Sequence, residues 1–251
     1  MGVLAIERSQ ATGFGLRFLG EVDGQLAEQN APLAGAWNAR FERVRPVREF
    51  PSYPGQRSYS GLWCSSTMRD LVGFESWLER DRVMMLDFSP EVVAFSSQPF
   101  WLTWLEGAER RRHAPDYFAR LADGTGLVID VRADDDIKPR DTAAFAATDQ
   151  ACKSVGWGYE RVGAVDPVLA ANLRWLSDYK HPRALNPGHA SALMTAFAQP
   201  APLMKTARTG GDPIAVLPSA FHMLWSGPLR ADLASGPLGR STLVRAAGGC
   251  Q

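Results

Sequence analysis

Two aspartates, Asp116 and Asp130, are the residues whose type and spacing best suit chemistry. They flank two runs of strand-forming residues, Tyr117–Leu121 and Leu127–Val131, joined by the turn-forming sequence Asp123-Gly-Thr-Gly126. A hairpin across this turn brings the carboxylates close, and they repel each other unless one is protonated or a cation lies between them. Such oxygen ligands suit Mg²⁺ or Mn²⁺, which can activate water and neutralise charge on a scissile phosphate. The pair therefore predicts a metal site for phosphodiester hydrolysis.

Each aspartate taken alone has a structural explanation that is more common than catalysis. Asp130 follows the apolar run Leu127-Val-Ile129, where an unpaired carboxylate is costly, so a salt bridge to a neighbouring arginine is the plain alternative. Asp116 follows a proline at a strand entry, which is ordinary turn chemistry. The pair supports the metal hypothesis better than either residue does.

The surrounding elements must position this pair. Hydrophobic spacing predicts a helix over Thr67–Asp87 that ends at Ser89-Pro90. The other predicted elements are strands at 92–95, 100–105 and 159–162, the hairpin itself, and helices at 142–155 and 167–179. The order of helix, antiparallel strands, helix and strand predicts an α/β sandwich and not a doubly wound parallel sheet.

The succession of Pro115-Asp116, a hairpin and Asp130-Val131-Arg132 resembles the core of the PD-(D/E)xK, or restriction-endonuclease-like, nucleases. Short acidic patterns recur by chance, but two features strengthen this one. The helix before the sheet carries Glu75 and Glu79 one turn apart on one face. The predicted element order also resembles the α-β-β-β-α-β order of that core.

More specifically, the stretch from Phe74 to Phe100 resembles the TnsA-like endonuclease subunit of heteromeric transposases, over about residues 60–180. The resemblance implies DNA cleavage at the 5′ ends of a mobile element, beside a DDE-type transposase subunit that cuts the 3′ ends and an ATPase regulator. It also implies a catalytic Mg²⁺, for which Mn²⁺ would substitute. The ligands that it implies are Glu79 (with Glu75 as the fallback), Asp116, Asp130 and the Val131 carbonyl. Gln98 matches a recurrent glutamine of the family, and its plain alternative is a strand-edge hydrogen bond.

Arg132 stands where the family motif has a lysine. Arginine can stabilise charge on a phosphate, but its planar fork does not copy the point charge of lysine. Lys138 lies six residues on and is either a substitute or a solvated lysine beside Pro139. The departure leaves two alternatives open: a catalytically inactive core that serves as a DNA-binding or assembly scaffold, and a restriction- or repair-type nuclease without transposase partners.

Basic residues beside the aspartates and in the tail are candidate DNA contacts. The run Arg110-Arg111-Arg112-His113 directly precedes the Pro-Asp motif and suits phosphate binding, with a charged hairpin loop as an equal alternative. Short helices and a terminal hairpin predict a winged-helix-like C-terminal domain or a small helical cap. The arginines that flank its predicted wing are Arg230, Arg240 and Arg245. The scattered tryptophans are expected to be core anchors and not base-stacking platforms.

Composition and charge predict the domain organisation. The 251 residues are 45% hydrophobic, with 27 basic and 27 acidic side chains, which argues against a strongly basic, non-specific nucleic-acid coat. Residues 181–251 hold six basic and two acidic residues, a net charge of +4, after a linker-like segment at 181–188. We therefore expect an irregular segment over 1–60, a nuclease core over 61–180 and a C-terminal domain over 181–251. The sequence shows no membrane-spanning stretch, no secretory signal and no cysteine pattern, so no membrane partner and a cytoplasmic location are expected.

Overall fold

The computed structural model describes residues 13–22, 24–48 and 59–248. Backbone contacts divide the chain into two compact units. The first holds the residues up to Asp87 together with Glu91–Ala164, and the second holds Phe88–Pro90 together with the residues from Val165 onward.

The first unit contains two four-stranded sheets and a separate two-stranded hairpin. Its elements are the strands Gly15–Val22 (β1) and Gln25–Pro32 (β2), the short helix Leu33–Ala36 (α1), the strands Gly61–Cys64 (β3) and Leu71–Phe74 (β4), the helix Trp77–Phe88 (α2), the strands Val92–Ser97 (β5), Trp101–Glu106 (β6), Glu109–His113 (β7), Tyr117–Leu121 (β8) and Gly126–Val131 (β9), the helix Pro139–Val155 (α3) and the strand Gly158–Val162 (β10). One sheet is antiparallel, in the order β2-β1-β6-β7, and the other has the order β10-β9-β8-β5 with β10 parallel to β9. The predicted α/β class and the hairpin of β8 and β9 are confirmed.

The mixed sheet β10-β9-β8-β5 has a helix on each face. Val83 of α2 packs with Phe95 and Ile129 on one face, all fully buried. Phe118 packs with Cys152 of α3 on the other face, in a core that also receives the antiparallel sheet. Neighbouring residues of one strand thus belong to different cores, because strand side chains alternate between faces.

The N-terminal part is more regular than its composition predicts. β1 and β2 pair along their whole length, and β1 pairs again with β6. The expectation for 1–60 is irregular structure with a strand or two, and it gives neither the positions nor the partners of β1 and β2. The physical reason is that β1 is stabilised by pairing with β6, more than eighty residues away, which no local sequence window reveals. Residues 1–12, 23 and 49–58, which the same expectation covers, lie outside the described residues.

The predicted helix over Thr67–Asp87 begins ten residues late. Leu71–Phe74 forms β4 and pairs with β3, because Val72 and Gly73 favour helix less than an extended strand. The helix α2 is preceded by a serine cap: Ser76 Oγ accepts a hydrogen bond from Glu79 N and donates one to Glu79 Oε1.

The second unit joins a helix to a small helix-and-strand domain. Its elements are the helices Pro167–Ser177 (α4) and Pro187–Ala196 (α5), the two-residue strand Ala201–Pro202 (β11), the helices Leu203–Ala207 (α6) and Pro213–Ser226 (α7), and the strands Leu229–Ala231 (β12) and Leu243–Ala246 (β13). The three strands form a sheet in the order β11-β13-β12, so the predicted terminal hairpin is confirmed. Pro218 lies inside α7, which begins at Pro213.

The boundary between the units lies at residue 165 and not at the predicted linker. α4 packs against α7 and buries Leu173 and Leu176, so this helix belongs with the C-terminal elements. The segment 181–188 is itself structured, since Asn186 N donates a hydrogen bond to Ser219 Oγ of α7. Within the described ranges, no helix combines the length and apolarity that crossing a membrane requires.

Candidate active site

Asp116 lies at the entry to β8, where the mixed sheet ends. Its backbone carbonyl accepts a 2.8 Å hydrogen bond from Gln98 N, and its Oδ2 atom accepts a 2.7 Å hydrogen bond from Val131 N. The next backbone N–H, that of Arg132, donates to Val162 of β10 on the other side. Because the N–H and C=O of one strand residue face the same side, the Val131 carbonyl also faces the side of Asp116.

Negative charge gathers around the Asp116 carboxyl. Part of the residue is reached by solvent. Burial of the carboxyl raises the pKa of Asp116 well above its ordinary value, and the charges of Glu79 and Asp130 raise it further. The pairing of Tyr117 with Ile129 places Asp116 beside Asp130 along the hairpin, as predicted, and the Glu79 charge also acts on Asp116. The Val131 N–H and the Arg48 charge lower the pKa and partly offset these effects. Like charges in such a group are relieved by protonation or by a bound cation.

Glu79 also stabilises the start of α2. In addition to its bond with Ser76, its Oε2 atom accepts a 2.8 Å hydrogen bond from Glu75 N. Burial raises the pKa of Glu79, the hydrogen bonds from Glu75 N and Ser76 lower it, and the Glu75 charge raises it. The net direction is upward, so the carboxyl is both a helix cap and part of the acidic group. The Ser-x-x-Glu pattern signalled this cap in the sequence.

Asp130 is fully buried and held by two polar partners. His113 Nε2 lies 2.7 Å from Asp130 Oδ1, and the Tyr159 hydroxyl donates a 2.9 Å hydrogen bond to Asp130 Oδ2. Burial and the Asp130 charge raise the pKa of Tyr159, which therefore stays a hydrogen-bond donor at neutral pH. The arginine salt bridge considered for Asp130 is replaced by these two residues. Sequence reasoning missed Tyr159, which only the parallel pairing of β10 with β9 brings within reach.

Glu79, Asp116 and Asp130, here called the acidic group, provide the oxygen ligands that magnesium prefers, but they are not arranged around one metal position. Over residues 13–22, 24–48 and 59–248, no group of three or more His, Cys, Asp or Glu residues is arranged to hold a metal ion. In the same ranges the Asp116 side chain accepts one hydrogen bond, while both oxygens of Asp130 have partners. A carboxylate offers about four lone-pair sites, so Asp130 keeps acceptor capacity. The residues fit a hard cation by ligand type.

Arg132 and Lys138, the two basic residues considered for the lysine position of the motif, have other contacts. Arg132 is exposed, and its Nη1 atom lies 3.6 Å from Asp136 Oδ2. Lys138 is exposed beside the start of α3, where its backbone N–H donates to Asp141 Oδ2. An exposed ion pair of this length contributes little free energy, so Arg132 is free to turn to another anion.

Gln98 is buried, has a left-handed backbone conformation and carries a side-chain amide without a hydrogen-bond partner among the described residues. It is 1% exposed, its φ is +45°, and neither side-chain amide atom has a hydrogen-bond partner among the described residues. Its backbone makes the strand-edge bonds, to Asp116 and from Val47 N. The fallback acid Glu75 is paired with Arg48 through Oε2, and its buried Oε1 atom has no hydrogen-bond partner among the described residues.

The predicted DNA-binding run in β7 is divided by strand alternation. Arg111 is paired with Glu106 and Glu109, each at 2.8 Å, and His113 faces Asp130. The prediction that His113 contacts phosphate is therefore corrected, because its ring is engaged at the acidic group. Arg110 and Arg112 lie on the opposite face of the strand.

The predicted wing arginines are exposed in the second unit. Arg230 of β12 and Arg245 of β13 are directly opposite each other, and Arg240 lies in the connection between these strands. Like charges directly opposite on a sheet destabilise it, so this pair favours binding of an anion.

No protein-family model matches the chain, and no curated protein matches it either.

Proposed function

We propose that the chain is a Mg²⁺-dependent DNA endonuclease with a PD-(D/E)xK core, and that it acts as the TnsA-like subunit of a heteromeric transposase. The single observation that carries the proposal is that the charges of Glu79 and Asp130 both act on the buried carboxyl of Asp116 at the entry to β8. The element order α2, β5, β8, β9, α3, β10 supports it, with β6 and β7 as an insertion.

In this proposal Asp116, Asp130 and the Val131 carbonyl hold the metal, with Glu79 as a further ligand. Mg²⁺, or Mn²⁺ in its place, supplies charge neutralisation at the scissile phosphate and activation of water. His113 and Tyr159 orient the Asp130 carboxylate, as outer partners of metal ligands commonly do. Arg132 leaves Asp136 and steadies the attacked phosphate.

The second unit supports a DNA-docking role. Its order of helix, strand, helix, helix, strand, strand (α5, β11, α6, α7, β12, β13) resembles that of a winged helix. Arg230, Arg240 and Arg245 then lie at the wing, where the DNA backbone passes. A DDE-type transposase subunit and an ATPase regulator are the protein partners that the proposal requires.

One observation favours a second candidate function, an inactive core that serves as a scaffold. His113 and Tyr159 stabilise the buried Asp130 carboxylate without a metal, and Arg132 replaces the motif lysine. The environment of Asp116 argues for the nuclease, because nothing in a scaffold requires a carboxyl whose pKa is raised by burial and by two neighbouring acids.

Cleavage of supercoiled plasmid by the protein and its partner transposase, with Mg²⁺ or Mn²⁺, tests the proposal. We compare the wild type with Asp116→Asn and with Asp135→Asn, a matched loss of charge at an exposed aspartate. We expect Asp116→Asn to cut at least about a hundredfold more slowly and Asp135→Asn to cut normally. Equal cleavage by wild type and Asp116→Asn contradicts the site. Cleavage by Arg132→Lys alone supports the scaffold.

A further inference from the structure

The outward face of the antiparallel sheet carries two arginines stacked on one tryptophan. Arg17 of β1 is directly opposite Trp101 of β6. The Arg112 guanidinium carbon lies 4.4 Å from the Trp101 ring centroid, and that of Arg17 lies 5.9 Å from it. Trp101 is only partly buried, so the expectation that it is a core anchor is wrong; it serves as a platform for cations on the surface.

A shallow cleft of about 870 Å³ follows this face. Asn30, Thr103 and Arg110 line it together with the Arg17–Trp101–Arg112 group. Within the described residues, Arg110 and Arg112 have no carboxylate partner, and Arg17 has a long, exposed contact of 3.6 Å with Glu28. Three arginines against one glutamate give the cleft a net charge of +2, beside neutral hydrogen-bonding side chains.

The cleft adjoins the candidate active site through a single strand residue. Arg112 precedes His113, whose ring contacts Asp130. Alternation along β7 sends Arg112 to the cleft and His113 to the acidic group. The cleft and the acidic group are therefore on opposite faces of β7, and because β7 ends the sheet order, only this one strand separates them.

We propose that this face, defined by Arg17, Trp101, Arg110 and Arg112, binds the phosphate backbone of duplex DNA and guides it to the acidic group. The inference depends on the proposed function for its choice of ligand. A guanidinium stacked on an indole keeps its N–H donors for phosphate oxygens while losing conformational freedom. Because Arg112 covers the indole, Trp101 orients cations and does not stack bases. Binding at this face is therefore independent of base sequence.

Fluorescence anisotropy with a labelled mixed-sequence duplex of about 30 base pairs, at several salt concentrations, tests this inference. EDTA in the buffer makes the readout independent of metal and of cleavage. The variants are Arg112→Gln, Trp101→Leu and the matched control Arg111→Gln, which removes the same charge from the next residue but from the opposite face. Circular dichroism checks that each variant is folded.

We expect Arg112→Gln to weaken binding at least about threefold and to lower the salt dependence of log K by about one contact. Trp101→Leu weakens binding without removing a charge, and Arg111→Gln binds as the wild type does. Equal effects of Arg111→Gln and Arg112→Gln, or no DNA binding by the wild type, overturn the inference. Loss specific to Arg112 and Trp101 supports it even if no cleavage is ever seen, so it fails separately from the nuclease assignment.

Discussion

The Nε2 atom of His113 lies 2.7 Å from the Oδ1 atom of Asp130, so the last residue of the arginine-rich strand contacts the acidic group and not the face proposed to bind DNA. Tyr159 binds the other oxygen of the same carboxylate. Hydrogen-bonding partners on both carboxylate oxygens thus fix the position of Asp130, a candidate metal ligand.

Removal of the Tyr159 hydroxyl tests how this carboxylate is stabilised. Tyr159→Phe leaves one oxygen of a buried charge without its donor, so the free energy of unfolding should fall by about 1–3 kcal/mol. Urea denaturation measures the change. Tyr59→Phe is the control, because Tyr59 is exposed and stacks on Trp77 through its ring. A similar loss in both variants would contradict the role given to the Tyr159 hydroxyl.

Gln98 should matter for activity and not for stability. Its buried amide has no partner in the described structure, so Gln98→Leu removes the cost of burying that amide. We expect the free energy of unfolding to stay the same or rise by up to about 1 kcal/mol, while cleavage falls. Urea denaturation and plasmid cleavage check the two expectations. A large loss of stability with normal cleavage would instead make Gln98 a structural residue.

Asp87 should give the fold a dependence on acid pH. Burial raises the pKa of its carboxyl, but hydrogen bonds from Thr67 N, Ser65, Trp63 and Ser66 N outweigh burial and leave the pKa below its ordinary value of 3.8. A folded-state pKa below the unfolded value stabilises the protein above the unfolded pKa. That stability is lost as pH falls through the folded pKa.

Asp87→Asn measures this contribution directly. We expect the variant to lose about 2–4 kcal/mol of unfolding free energy at neutral pH, because several donors to a charged acceptor are weakened. The gap between wild type and variant should narrow as pH drops below about 4. Urea titrations at neutral and acid pH check it, with exposed Asp135→Asn as the control. A gap that does not change with pH would contradict the charge-based account.

Replacing a wing arginine should raise the stability of the fold and weaken its binding to DNA. Arg230 and Arg245 are directly opposite on β12 and β13, so Arg245→Gln relieves repulsion and should raise the free energy of unfolding by a few tenths of a kcal/mol, roughly. The same change should weaken binding to duplex DNA and reduce its salt dependence. Arg183→Gln removes an exposed charge from the turn Pro182–Ala184 of the second unit, outside the β12–β13 hairpin. If both variants bind DNA equally, the wing is not a DNA contact.

Local signals in the sequence predicted the hairpin of β8 and β9, most of α3, and the terminal pairing of β12 with β13. Those elements depend on turn residues and spacing within about twenty residues. β1 escaped prediction because its partner β6 is remote in the chain, and the start of α2 was misplaced because β4 has apolar residues at helical spacing. His113 lies on β7 of the antiparallel sheet and Tyr159 on β10 of the mixed sheet, so only the packing of the two sheets reveals that both contact Asp130.

Binding of Mn²⁺ measured by electron paramagnetic resonance tests the central claim, that the carboxylates around Asp116 hold a divalent metal. We compare wild type, Asp116→Asn and the exposed control Asp135→Asn. We expect wild type and Asp135→Asn to bind Mn²⁺ equally, and Asp116→Asn to bind it at least about tenfold more weakly. Equal affinity in all three proteins, or no binding by the wild type, would contradict it.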